Sequence, residues 1–321
     1  MSAAVHGRGG KELRGHLGRF ARFLARRERR EREDSLSLSA LAASPLPLPA
    51  GVELRWLGVA GYRLSYEGQA LYIDPYVTRV PFRAMVSKQP AVADLALHER
   101  LFAGEPARVA GILAGHTHFD HAIDIPALAR RWNTCAYGSS SLGALMSLYG
   151  LADRAVEVVP QQEFELGPFA VTFFRSLHSK LLLGYRVPAD GELSCEHLDG
   201  LTPSAYRCGE IYGIRIRVAG VTFYHQGSAN LIDELVPRGG VDFFLAGIAG
   251  RSFTRDYWSR ILPLLEPKIV IASHFDDFFR AVDAPLGFSL NVNLTALPEE
   301  VNAVSGDFDV RAMAPRLEPL G

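Results

Sequence analysis

The chain is 321 residues long, 48% hydrophobic and 21% charged, the composition of a soluble globular protein with a sizeable core. Its 34 basic and 35 acidic residues nearly cancel, so net charge does not draw the whole chain to nucleic acid or an acidic membrane. No apolar stretch reaches the roughly 18–20 residues of a membrane span, and the N-terminus lacks the apolar core of a secretory signal. Three cysteines, Cys135, Cys195 and Cys208, are too sparse for a disulfide framework, so a cytoplasmic protein with reduced thiols is expected.

The charge is unevenly spread. Residues 1–34 hold ten Lys or Arg against five acids, whereas the rest holds 24 against 30. Leu13, Leu17, Phe20 and Leu24 fall at helical spacing ahead of the charge run 26–33, predicting a basic amphipathic helix with a solvated continuation. Such a helix suits peripheral contact with an anionic membrane through residues 11–33; the alternative is a helix that packs on the body or frays. The Pro-rich stretch 44–51 predicts a stiff linker, making residues 1–50 an extension and 51–321 the domain.

Within the domain, strands are expected at 52–57, 62–66 and 70–73, with Glu67-Gly68 as a turn. Helices follow at 94–102, 125–132 and 141–149. A second strand-rich stretch covers 156–159, 169–175, 183–187, 211–218 and 221–224. Then come helix 229–235, strand 243–246, helix 255–265 and strand 269–272. Two strand-rich halves, each followed by helices, predict two mixed sheets packed face to face with helices outside.

The most specific feature is His116-Thr117-His118-Phe119-Asp120-His121, which follows the apolar run 109–115. That run reads as a buried strand, which places the cluster on the loop leaving its end. There the chain can turn back so that His116 and His118 face one point while Asp120 and His121 face another. Imidazole with carboxylate is the ligand set of zinc, or of manganese or iron when more oxygen donors join. Three further histidines, His178, His225 and His274, each follow a predicted strand, and rigid strands are what set ligand positions in a loop-built site.

The His-x-His-x-Asp-His cluster, a strand-end histidine about 60 residues later and a last histidine toward the C-terminus resemble the metallo-β-lactamase superfamily. The stretches 54–62, 73–75 (Ile-Asp-Pro) and 273–277 (Ser-His-Phe-Asp-Asp) are similar to the branch containing the L-ascorbate-6-phosphate lactonases. The resemblance implies a four-layer αββα sandwich with one or two divalent ions at one edge, zinc first, with manganese or iron as alternatives. It assigns His116, His118 and His178 to one ion, and Asp120, His121 and His274 to the second. Asp120 would also orient a metal-bound hydroxide that attacks a small ester, lactone or phosphodiester. Asp74 would steer a ligand imidazole from behind, with a turn role as the alternative.

One position departs from the family pattern. Where a bridging aspartate is usual, the chain reads His225-Gln226-Gly227-Ser228. A serine removes one negative charge and one oxygen ligand from between two dications, which weakens double occupancy. His225 then stands as a compensating ligand or a catalytic contact with substrate. The polar loop 187–209 is placed to shape a pocket, and Arg251 to clamp an anionic group of a small-molecule substrate. A nuclease is disfavoured because the body is acidic and carries no appended basic, aromatic-rich module. The competing reading from another class is a metal-binding, non-hydrolytic protein recruited to a membrane or partner by its N-terminal helix.

Overall fold

A computed structural model describes residues 27–314, except 87–88, 106, 182–183, 194, 291 and 306–307. Two mixed sheets form the frame. The first runs in the order β1 (Glu53–Gly58), β2 (Gly61–Tyr66), β3 (Gln69–Ile73), β4 (Arg108–Leu113), β5 (Ala136–Gly138), β6 (Ala155–Glu157). The second contains β7 (Glu163–Leu166), β8 (Phe169–Arg175), β9 (Tyr212–Val218), β10 (Val221–Gln226), β11 (Phe243–Gly247), β12 (Ile269–Ser273) and β13 (Asp309–Ala312), hydrogen-bonded in chain order.

Side chains alternate across a strand, and this sorts the first sheet's residues into two cores. Leu64, Leu71 and Ile73 face Val171, Phe173, Ile214 and Ile216 of the second sheet. Ala70, Tyr72 and Ile112 point the other way, into an apolar cluster with α2 (Leu95–Phe102), α3 (Phe119–Ala122), α4 (Ile125–Trp132) and α5 (Ser140–Leu148). On the outer face of the second sheet, α6 (Tyr257–Leu265) buries Ile261, Leu262 and Leu265. β11 and β12 are parallel neighbours, and every residue in them is buried, as expected of strands covered on both faces. The order of layers is helix, sheet, sheet, helix.

The helix α1 (Arg27–Leu41) is docked on this frame. Leu38 joins the larger apolar cluster of the second sheet, and Leu46 and Leu48 of the expected linker pack against it. Asp34 accepts from both the N–H and the hydroxyl of Thr295 at 2.9 Å, just ahead of α7 (Leu297–Ser305). The expected separation of residues 1–50 from the domain is therefore corrected for residues 27–48, which are part of the packed body. The apolar stripe Leu13 to Leu24 lies outside the described residues.

Two predicted elements are absent. Residues 184–187 form no strand, and 229–235 is a loop ending in a short 3₁₀ turn, Asp233–Leu235. Side chains occupy the carbonyls that a helix would need there. Gln226 Nε2 donates to Ser228 O at 3.1 Å and Asn230 O at 2.6 Å, and Ser176 Oγ donates to Asn230 O at 3.1 Å. The short strands β5, β7 and β13 and helix α7 were not anticipated. Cys135, Cys195 and Cys208 are free thiols, and among the described residues no helix is long and apolar enough to cross a membrane.

Candidate metal centre

The site is built where β3, β4, β8 and β12 end. Past Leu113, the chain crosses Asp74 so closely that Gly115 N–H donates to Asp74 Oδ1 at 2.6 Å. A Cβ at residue 115 would come 2.9 Å from Asp74 Oδ2, so only glycine fits. Asp74 and His274 hold left-handed backbone, with φ of +42° and +57°. Such conformations cost about 1–3 kcal/mol each in non-glycine residues and persist where the surroundings fix them. Here His274 N–H donates to Val59 O at 2.8 Å, and Asp276 Oδ1 accepts from Val59 N–H at 2.8 Å, a reciprocal clamp on the loop after β12.

Six side chains converge as two triads. His116, His118 and His178 bring one ring nitrogen each within 4.8 Å of one another, and Asp120, His121 and His274 do the same with their donor atoms. All six are buried. The triads adjoin, with the His116 and His121 rings 3.8 Å apart.

The outward-facing nitrogens settle which ring nitrogen is left as a lone pair, an assignment inferred from hydrogen-bond partners. His118 Nε2 donates to Pro188 O at 2.8 Å, leaving Nδ1, which faces His116 Nε2 at 3.0 Å. His178 Nδ1 donates to Ser179 O at 2.7 Å, leaving Nε2. His121 Nδ1 donates to Asp74 Oδ2 at 2.8 Å, leaving Nε2, which sits 3.9 Å from Asp120 Oδ2. His274 Nε2 is 3.4 Å from that same oxygen. Outer acceptors that turn imidazole lone pairs inward are the arrangement that supports metal ligation.

Electrostatics agree with this geometry. Burial, then the neighbouring imidazoles, hold the His116 pKa well below its ordinary value. Burial, followed by His118, pushes His178 down to about 3. Burial also lowers His118, with Asp120 countering it in part. These three rings are therefore neutral near pH 7 and able to ligate. For Asp120, burial raises the carboxyl, but His121 and His274 outweigh it and keep the group ionised. Burial likewise raises Asp74, yet His121 and His225 bring it down to about 2. Neutral imidazoles in the first triad, with a carboxylate and two imidazoles in the second, fit divalent transition-metal ions.

Three expected site residues are engaged by protein groups outside the triads. His225 is fully buried on β10 behind Asp74, its Nε2 donating to Asp74 Oδ2 at 3.0 Å and its ring edge-on to Tyr62. It has no surface for a substrate, so the expected catalytic contact is corrected to support of Asp74. Ser228 Oγ accepts from Ser179 N–H at 3.0 Å, one residue beyond His178. The Arg251 guanidinium is engaged away from the triads, by the Glu300 carboxylate at 2.6 and 3.1 Å and by the carbonyls of Val292 and Asn293. The expected substrate clamp at Arg251 is corrected accordingly, since its donors already have partners.

The loop 187–209 does reach the site, supplying the Pro188 carbonyl and receiving the Thr117 hydroxyl at Arg207 O, at 2.6 Å. Sequence reasoning missed Asp124, which accepts from the N–H groups of Val77 and Thr78 at 2.7 and 2.8 Å and from His98 Nε2 at 2.8 Å. This ties the segment after β3 to the start of α4. An aspartate before Ile-Pro is also an ordinary helix-cap signal, which masks that role in sequence.

Residues 53–274 match the family described as "Beta-lactamase superfamily domain". The chain belongs to this family. A UPF0173 metal-dependent hydrolase from Staphylococcus aureus (strain JH9) is 26% identical over 241 residues, spanning 72% of this chain and 93% of the relative. Among solved structures, the diiron β-hydroxylase CmlA from Streptomyces venezuelae superposes with a TM-score of 0.51 at 15% identity, over 84% of this chain and 54% of that one. Igni18, a metallo hydrolase from Ignicoccus hospitalis, is similar with a TM-score of 0.49 at 16% identity, over 82% of this chain and 95% of the other. At this identity the likeness to CmlA shows a shared fold.

Proposed function

We propose that this member of the β-lactamase superfamily is a metal-dependent hydrolase of a small ester, lactone or phosphodiester. The observation that carries the reading is the pair of adjoining buried triads whose lone pairs are turned inward by Pro188, Ser179 and Asp74. The name of the Staphylococcus aureus relative supports the same reaction class. His116, His118 and His178 would hold one ion, and Asp120, His121 and His274 a second. When bound, a divalent ion supplies a Lewis acid for the scissile carbonyl or phosphoryl oxygen and lowers the pKa of the attacking water.

The chain's own groups have distinct tasks in this reading. Asp120, kept ionised beside His121 and His274, accepts a hydrogen bond from the attacking water and orients it. Asp74 holds the His121 ring, and His225 holds Asp74. In this reading Ser228 replaces the bridging carboxylate of the family pattern, which favours single occupancy, with zinc as the first candidate.

Elemental analysis of gently purified protein is expected to find at least one equivalent of zinc, manganese and iron combined. Less than about a tenth of an equivalent overturns the reading, since sites of this donor set bind tightly. Asp120→Ala is expected to lower turnover of lactone and phosphodiester probes at least about a hundredfold. A protein that binds metal but turns over none of these probes favours the non-hydrolytic alternative.

A further inference from the structure

The solvent-facing side of the site is marked by small differences in exposure. His118, Asp120, His178 and His274 each keep 7%, whereas His116 and His121 fall to 2% and 1%. On that side an unbroken run of aromatic rings leads outward. Phe278 lies edge-on to His274, with centroids 5.9 Å apart, and 4.2 Å from Phe279. Both rings meet Phe119, at 6.2 and 6.3 Å, and Phe119 is the residue between His118 and Asp120. Phe279 then meets Phe82 edge-on at 5.2 Å. Phe82 is 68% exposed, and Val86 on the same short 3₁₀ helix is 84% exposed.

Exposed apolar side chains scattered singly need no explanation, but a contiguous apolar path that ends at a polar centre does. Aromatic rings cover apolar surface at small entropic cost and ask for no hydrogen bonds in return. Arg251, the cation expected to receive an anionic group, is engaged by Glu300.

We propose that the wall formed by Phe119, Phe278, Phe279 and Phe82 receives an acyl or aryl group of the substrate, so that the preferred substrates are hydrophobic next to the scissile bond. This deepens the hydrolase reading above and rests on it. The wall's contact with His274 commits it to the group attached to the reacting atom. A membrane surface, the other apolar occupant, has no reason to extend inward to the ligands.

The test uses the metal-loaded full chain and nitrophenyl esters from acetyl to octanoyl. Full burial of a methylene is worth about fourfold in kcat/KM, so octanoyl is expected to exceed acetyl by at least about tenfold if only part of the chain is covered. In Phe82→Ser and Phe279→Ala that ratio is expected to fall at least about threefold, with metal content as the control. No chain-length preference in the wild type, or an unchanged ratio in both variants, overturns the proposal. If no ester is turned over, the hydrolase reading fails only where the lactone and phosphodiester probes are inert as well, and octanoate binding measured by calorimetry decides the wall. Binding weakened in both variants then sustains it, and absent or unchanged binding overturns it. Adsorption to phosphatidylcholine vesicles that Phe82→Ser abolishes while leaving the ester ratio unchanged overturns it in favour of a membrane contact.

Discussion

Asp74 connects more of the site than any ligand does. One oxygen takes the Gly115 N–H at the exit of β4, and the other takes His121 Nδ1 and His225 Nε2. Asp74→Asn keeps the shape but removes the charge that opposes two imidazoles in a buried setting. It is expected to lower affinity for the ion held by His121 by about 10–100-fold, the usual effect of losing such a support, as read by titrating metal into the metal-free protein. Ser228→Asp is the converse change, restoring a carboxylate one residue beyond Gly227, itself packed against Asp74 and His121. It is expected to tighten binding of a second ion. Equal stoichiometry and affinity in variant and wild type would show that Ser228 is not at the bridge.

At the scale of elements, the N-terminal helix is the clearest case of tertiary context deciding a role. The sequence of α1 is dominated by charge, yet two of its residues, Asp34 and Leu38, are buried. Leu38 fills part of the larger apolar cluster, and Asp34 satisfies the Thr295 N–H ahead of α7. Removing residues 1–45 is therefore expected to destabilise the fold by several kcal/mol, since a buried leucine contributes about 2–5 kcal/mol and a capping carboxylate about 1. A thermal melt of the truncated chain measures this, and an unchanged midpoint would mean that the helix rests on the body without stabilising it.

At the scale of the molecule, the two triads make the metal-free fold acid-sensitive. His116, His118 and His178 have folded pKa values below their unfolded value of about 6.5. The unfolded chain therefore binds more protons between those values, and stability falls as pH drops below about 6.5. His121 has the opposite sign, because Asp74 and Asp120 outweigh burial and raise it; its contribution is lost as pH rises through the folded value. With three groups against one, the melting point of metal-free protein is expected to fall from pH 7 to pH 5. The slope is about 1.4 kcal/mol per pH unit for each uncompensated histidine, and His178→Gln should flatten it. A melting point independent of pH across that interval would contradict the buried neutral rings. The sequence by itself determined the layer order and the positions of most strands, because alternation and apolar runs between turns are local signals. It also brought out the His116–His121 cluster, because ligands carried on one short loop-and-helix segment are adjacent in the chain. Only the tertiary structure decided what depends on partners far away in sequence: His225 sits behind Asp74, Arg251 is held by Glu300, and residues 229–235 lose their helix to Gln226 and Ser176. A side chain's role follows from which distant group reaches its hydrogen-bonding atoms first, and that competition is settled only when the two sheets close on each other.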